Sequence, residues 1–218
     1  LMDTIQALYS EDPVLGPALS AGMAVREGLD EPSMMASDDR EGMNPKAARA
    51  HAALQLAGQV LAKDDGPRVA VVESGGWDTH ANQGTTKGRL SRQLSTLAES
   101  LRGLQAGLGP AWDQTAVIVV SEFGRTVAPN GSRGTDHGTA GVALLLGGAI
   151  HGGRSFGDWP GLAPSDRHEG RDLASTTDVR AVFKGILRDH MGIERAALDS
   201  RVFPDSHSVA PLDGLIRQ

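Results

Sequence analysis

The stretch Arg68-Val-Ala-Val-Val-Glu73-Ser-Gly-Gly-Trp-Asp78-Thr-His80 decides the fold class read from this chain. Val69, Ala70, Val71 and Val72 form a continuous apolar run, with Asp64-Asp65-Gly66-Pro67 before it and Gly75-Gly76 after it. Such a run, bounded by turn residues, fits a strand buried on both faces of a parallel sheet. Thr115 to Val120 and Gly141 to Leu146 have the same character and read as two further strands.

Helical periodicity lies around these runs. Ala50, Leu54, Ala57 and Leu61 share one face of a helix expected over Ala47 to Lys63, which Asp64-Asp65-Gly66-Pro67 stops. Leu90, Leu94, Leu97, Leu101, Leu104 and Leu108 make a single leucine stripe along Gly88 to Leu108. A closing helix over Asp178 to His190 carries Val179, Val182, Phe183, Ile186 and Leu187 on one face. Thr177 is its expected N-cap, and Gly192 follows its end. Strand–helix–strand alternation argues for an α/β domain over residues 46–218, with three layers and a mostly parallel sheet covered by helices on both faces. Residues 1–45 read as an irregular or helical N-terminal segment, with Glu27 to Pro45 as an exposed loop, a lid or a disordered stretch.

Composition excludes several classes. The 218 residues hold 21 Lys and Arg against 27 Asp and Glu, a net charge of −6, so the basic face of a duplex-binding protein is not expected. Three Trp, one Tyr and four Phe leave little for stacking single-stranded nucleic acid. No cysteine is present, which removes disulfide scaffolds, thiolate zinc sites and cysteine nucleophiles. The longest apolar stretch, Val142 to Ile150, is nine residues with two glycines, so no membrane span is expected. Neither a P-loop nor a Gly-x-Gly-x-x-Gly fingerprint occurs.

Three polar clusters accompany the three apolar runs: Glu73 to His80, Ser121-Glu122-Phe-Gly-Arg125-Thr126, and Gly134-Thr-Asp136-His137-Gly138. In an open α/β sheet the crevice at the carboxyl ends of the strands is where ligands bind. Asp78 and His80 are two residues apart, so on extended backbone they point the same way and offer a carboxylate and an imidazole to one divalent cation. Glu122 could add an oxygen ligand and His137 a second nitrogen, while Asp136 could ligate the metal or orient a histidine from behind. The plainer reading makes Asp78 and Asp136 turn or cap residues and His80 a surface histidine. Arg125 could bind a substrate oxyanion, or form a structural ion pair with Glu122 or Asp136.

Taken in order, these clusters resemble the bacterial family called domain of unknown function 1501. Gly152-Gly153-Arg154, Gly157-Asp158-Trp159-Pro160-Gly161 and the closing helix fit it too. The resemblance covers most of the chain from about residue 45 onward. It implies kinship with the alkaline phosphatase and sulfatase superfamily, hence an alkaline phosphatase-like fold and metal-dependent hydrolysis of phosphate or sulfate esters. It also implies twin-arginine export and a periplasmic or cell-envelope location.

Asp78 matches the superfamily aspartate that follows a strand, and His137 matches the later histidine. Asn82 stands where a partner histidine is usual, with His80 as its substitute, and Glu122-Phe123 replaces an Asp-His pair. The strand bearing the nucleophile would precede Leu1, so the chain is expected to be the carboxy-terminal part of such a protein, its hydrolase incomplete here. Two functions follow from different classes: a hydrolase acting on a small anionic ester, or a non-catalytic envelope protein using the same crevice for binding or assembly.

Overall fold

A computed structural model describes residues 45–217. The N-terminal segment expected over residues 1–45, with its lid or loop, lies outside the described residues except for Pro45, which opens the first helix. Four α-helices are described: α1 (Pro45–Leu61), α2 (Arg89–Leu108), α3 (Val179–Met191) and the short α4 (Arg195–Ala197). The strands are β1 (Val117–Val119), β2 (Gly124–Arg125), β3 (His137–Gly138) and β4 (Leu144–Leu146).

The three-layer, mostly parallel α/β sheet of the alkaline phosphatase type is overturned. Among the described residues β1 pairs only with β4 and β2 only with β3, both antiparallel. Val69 and Val71 lie outside any strand and are 60% and 90% exposed. The other two apolar runs pair with each other, Val117 opposite Leu146 and Val119 opposite Leu144. A parallel pair needs a crossover, usually a helix, and the chain from Val119 to Leu144 contains none. It doubles back instead. Gly124 stands opposite Gly138 and Arg125 opposite His137 in nearly the same register, with Thr126 N–H donating to Asp136 O at 2.9 Å. Residues 117–146 thus form one interrupted antiparallel ribbon, its tip closed by Asn130 N–H donating to Gly134 O at 2.8 Å.

The described residues divide into two compact units, 45–72 with Thr96–Leu108, and Glu73–Ser95 with 109–217. In the first unit, α1 and the second half of α2 meet through backbone. A Cβ on Gly103 would run into the carbonyl of His51, one on Gly107 into that of Gln55, and one on Gly58 into that of Leu104. This approach selects the buried faces. Along α1 it takes in Ala47, His51 and Gly58 rather than Ala50, Leu54, Ala57 and Leu61. From Thr96 onward α2 buries Thr96, Ser100, Gly103, Leu104 and Leu108, whereas Leu97 and Leu101 are only partly covered.

The second unit carries the core formed by Ile150, Ile186 and Leu215, with Ala116, Ile118, Leu145 and Val182 packed against it. Helix α3 thereby sits on the base of the ribbon. Asp178, not the expected Thr177, caps α3, its carboxylate accepting Arg180 N–H at 2.8 Å. At the other end Gly192 adopts φ 67°, and the N–H groups of Gly192 and Ile193 close back on Arg188 O and Leu187 O. The amino group of fully buried Lys184 donates to Asp199 and to the carbonyls of Ser206 and Val209, so all three of its protons are used.

Candidate metal centre

The ribbon and the segment before α2 build one polar cluster within the second unit. Residues 78–80 alternate as expected for extended chain: Asp78 and His80 face outward, while Thr79 between them is buried. The Thr79 hydroxyl donates to Gln83 Oε1 at 2.7 Å, and Thr79 O accepts the N–H of Thr135 at 3.2 Å. Gly134 lets the ribbon tip press on this segment, because a Cβ there would run into the backbone of Thr79 and His80. The pairing of β2 with β3 then sets Arg125 beside His137.

Three donor atoms converge. His80 Nε2 lies 2.8 Å from Asp78 Oδ1, His137 Nε2 lies 3.0 Å from the same oxygen, and the two Nε2 atoms are 3.2 Å apart. At a cation about 2.1 Å from each, donors about 3 Å apart subtend angles of about 90°. Tetrahedral ligands at that bond length would stand about 3.4 Å apart. Two imidazoles and a carboxylate so spaced fit one triangular face of a six-coordinate divalent ion, with the opposite positions left for other ligands. All three side chains are about half exposed or more, so the cluster is open to solutes.

Asp136 stands behind His80, its Oδ1 2.9 Å from His80 Nδ1. A carboxylate on the far ring nitrogen is the usual support of a metal-bound histidine. Of the two roles open to Asp136 in the sequence, the structure shows contact with His80. Glu122 is exposed, accepts the Ser121 hydroxyl at 3.2 Å, and is not among the converging donors. Arg125 pairs with Asp78, at 2.8 Å from Nη1 to Oδ1, rather than with Glu122 or Asp136. Its Nε donates to the Thr135 hydroxyl at 3.1 Å and its Nη2 to the Thr135 carbonyl. Phe123 stacks against His137, ring centroids 4.4 Å apart, and the His80 ring lies 4.8 Å from His137 on a tilt.

The charges are set by these contacts. The Arg125 guanidinium, followed by the hydrogen bond from His137, holds the Asp78 carboxyl below its ordinary value. The hydrogen bond with His80, then that from Asn130, does the same for Asp136. Both are therefore ionised at neutral pH, one as a prospective ligand and one as the support of a ligand.

The comparisons with known proteins can be set beside this geometry. A family model described as "Protein of unknown function (DUF1501)" matches residues 7–202. The chain belongs to the DUF1501 family. No curated protein and no solved structure matches it. In this DUF1501 chain, Asn130 and Phe123 hold the site without being ligands. Only Asn130 left a signal in the sequence, since Asn-Gly between extended segments marks a chain reversal. Another pattern, Gly153-Arg-Ser155-Phe-Gly157, matches the serine-hydrolase elbow by letters alone. It lies on exposed irregular backbone, not on the strand-to-helix turn that the elbow requires. Among the described residues no helix is long and apolar enough to cross a membrane.

Proposed function

We propose that this DUF1501 chain holds a divalent cation on Asp78, His80 and His137 and serves metal-dependent hydrolysis of a small phosphate or sulfate ester. The observation that carries the proposal is the convergence of three donor atoms from segments 57 positions apart, with Asp136 behind one of them. Asp78, His80 and His137 would hold the cation, which would supply charge to polarise an ester oxygen and to offset the charge developing on it. The protein groups have separate tasks. Asp136 keeps the far nitrogen of His80 occupied, so that Nε2 faces the site. Phe123 steadies the His137 ring. Arg125 fixes the Asp78 carboxylate and retains one further N–H on each terminal nitrogen for an anion.

A second reading, cation-dependent binding without turnover, has its own support. The hydroxyls of Thr79, between two of the ligands, and Thr135, two residues before the third, are buried and both donate to Gln83 Oε1 at 2.7 Å. Neither is free to act as a nucleophile. Calorimetric titration with Mn²⁺ and Zn²⁺, alongside Asp78→Ala and His137→Ala, tests the site. Aryl phosphate and aryl sulfate assays with and without chelator separate the two readings. Binding lost in both variants with chelator-sensitive turnover supports the hydrolase, and binding without turnover supports the second reading. Unaltered binding in both variants removes the site.

A further inference from the structure

Asn130 is one of the residues that join the two ligand-bearing segments, and its side chain makes four hydrogen bonds. Its Oδ1 accepts the backbone N–H groups of Ser132 at 2.9 Å and Gly134 at 3.0 Å, which closes the ribbon tip as an Asx turn. Its Nδ2 donates to the carbonyl of His80 and to Asp136 Oδ1, both at 2.9 Å. That carboxylate oxygen is the one that contacts His80 Nδ1. The acceptor half of the amide therefore builds the turn, and the donor half ties the turn to the candidate metal centre.

We propose that Asn130 is a positioning residue. It holds the Asp136 carboxylate on His80 Nδ1, and so presents His80 Nε2 to Asp78 and His137. This rests on the cation-site reading above and assigns it a residue beyond the ligands and their direct supports. Asp136 is half exposed, and its side chain has three staggered positions to choose among. The donor from Asn130 selects the one that meets His80. With the Nδ1 edge of His80 held on Asp136, the opposite nitrogen, Nε2, is the atom that converges with the other two donors. The turn by itself needs no donor: an aspartate or a serine at position 130 can accept the same backbone N–H groups.

Asn130→Asp separates the two halves of the amide. It keeps an acceptor for Ser132 and Gly134 but sets a second carboxylate against Asp136 and against the His80 carbonyl. In the full chain, the expected result is an unfolding midpoint near that of the parent and Mn²⁺ affinity about 10- to 100-fold weaker, the usual effect of losing an outer-shell partner. Imidazole ¹⁵N shifts of His80, recorded without metal and at one pH in parent and variant, are expected to differ, because the Asp136 carboxylate no longer holds the Nδ1 edge of the ring. Asn130→Ser serves the same comparison should the aspartate variant not fold.

Parent-like Mn²⁺ affinity together with an unshifted His80 ring would overturn the proposal and leave Asn130 as a turn residue. Failure of the parent itself to bind Mn²⁺ or Zn²⁺ would remove the cation reading. The His80 shifts would then still decide the role of Asn130, upheld by a changed ring signal in the variant and overturned by an unchanged one.

Discussion

Gly103→Ala sets two opposite effects against each other in one measurement. In an exposed helix the change to alanine stabilises by about 1 kcal/mol, because glycine gives up more backbone freedom on folding. Here the new methyl would meet the carbonyl oxygen, carbonyl carbon and Cα of His51, all backbone of α1. No side chain can rotate away, so the helices must part by about 1 Å to restore ordinary carbon contacts. A gap of that size forfeits roughly a quarter to a half of the dispersion energy at each contact along the α1–α2 seam. Overpacking of this kind costs about 1–3 kcal/mol, which exceeds the propensity gain in most of its range. The expected net result is a loss of about 1 kcal/mol, within limits of about 0 and 2, read from urea unfolding followed by far-ultraviolet circular dichroism. Gly107→Ala, facing the Gln55 carbonyl, should behave alike. A Gly103→Ala protein more stable than the parent, by about the 1 kcal/mol of an exposed helix, would show that the helices do not meet through these glycines.

Both ring nitrogens of His51 are buried with no hydrogen-bond partner among the described residues, so His51→Leu should stabilise the first unit by about 1–3 kcal/mol. A lower urea midpoint in that variant would refute this. The carboxyls of Asp78, Asp136, Asp172 and Asp199 are all held below their ordinary value, first by Arg125, His80, Arg171 and Lys184 respectively. A depressed folded-state value contributes stability that is fully present above the unfolded value of about 4 and lost as pH falls through the folded one. The thermal midpoint should accordingly show no change due to these groups between about pH 7 and 5 and decline below about pH 4. A midpoint insensitive to pH below 4 would contradict the assignment.

What the sequence by itself determined is local. Leucine and alanine spacing places α1 and α2 within two residues of their ends, because helical periodicity is a property of neighbouring residues. Gly192 marks the end of α3 because a left-handed residue there needs no partner elsewhere in the chain. Asp78 and His80 fall on one side because alternation along extended backbone is equally local. Tertiary structure decided the rest. A run such as Val69 to Val72 records an affinity for apolar surroundings without naming a partner or a strand direction, and here it stays exposed. Apolar stripes likewise do not fix which face of α1 and of the second half of α2 is buried, since the approach of two glycine-lined backbones depends on both helices at once. The same holds for the site. Asp136 and Glu122 are both acidic residues near a strand, and only the fold-back of residues 117–146 brings Asp136 to His80 while leaving Glu122 outside the converging donors. That outcome depends on contacts between residues far apart in the chain, which no local pattern encodes.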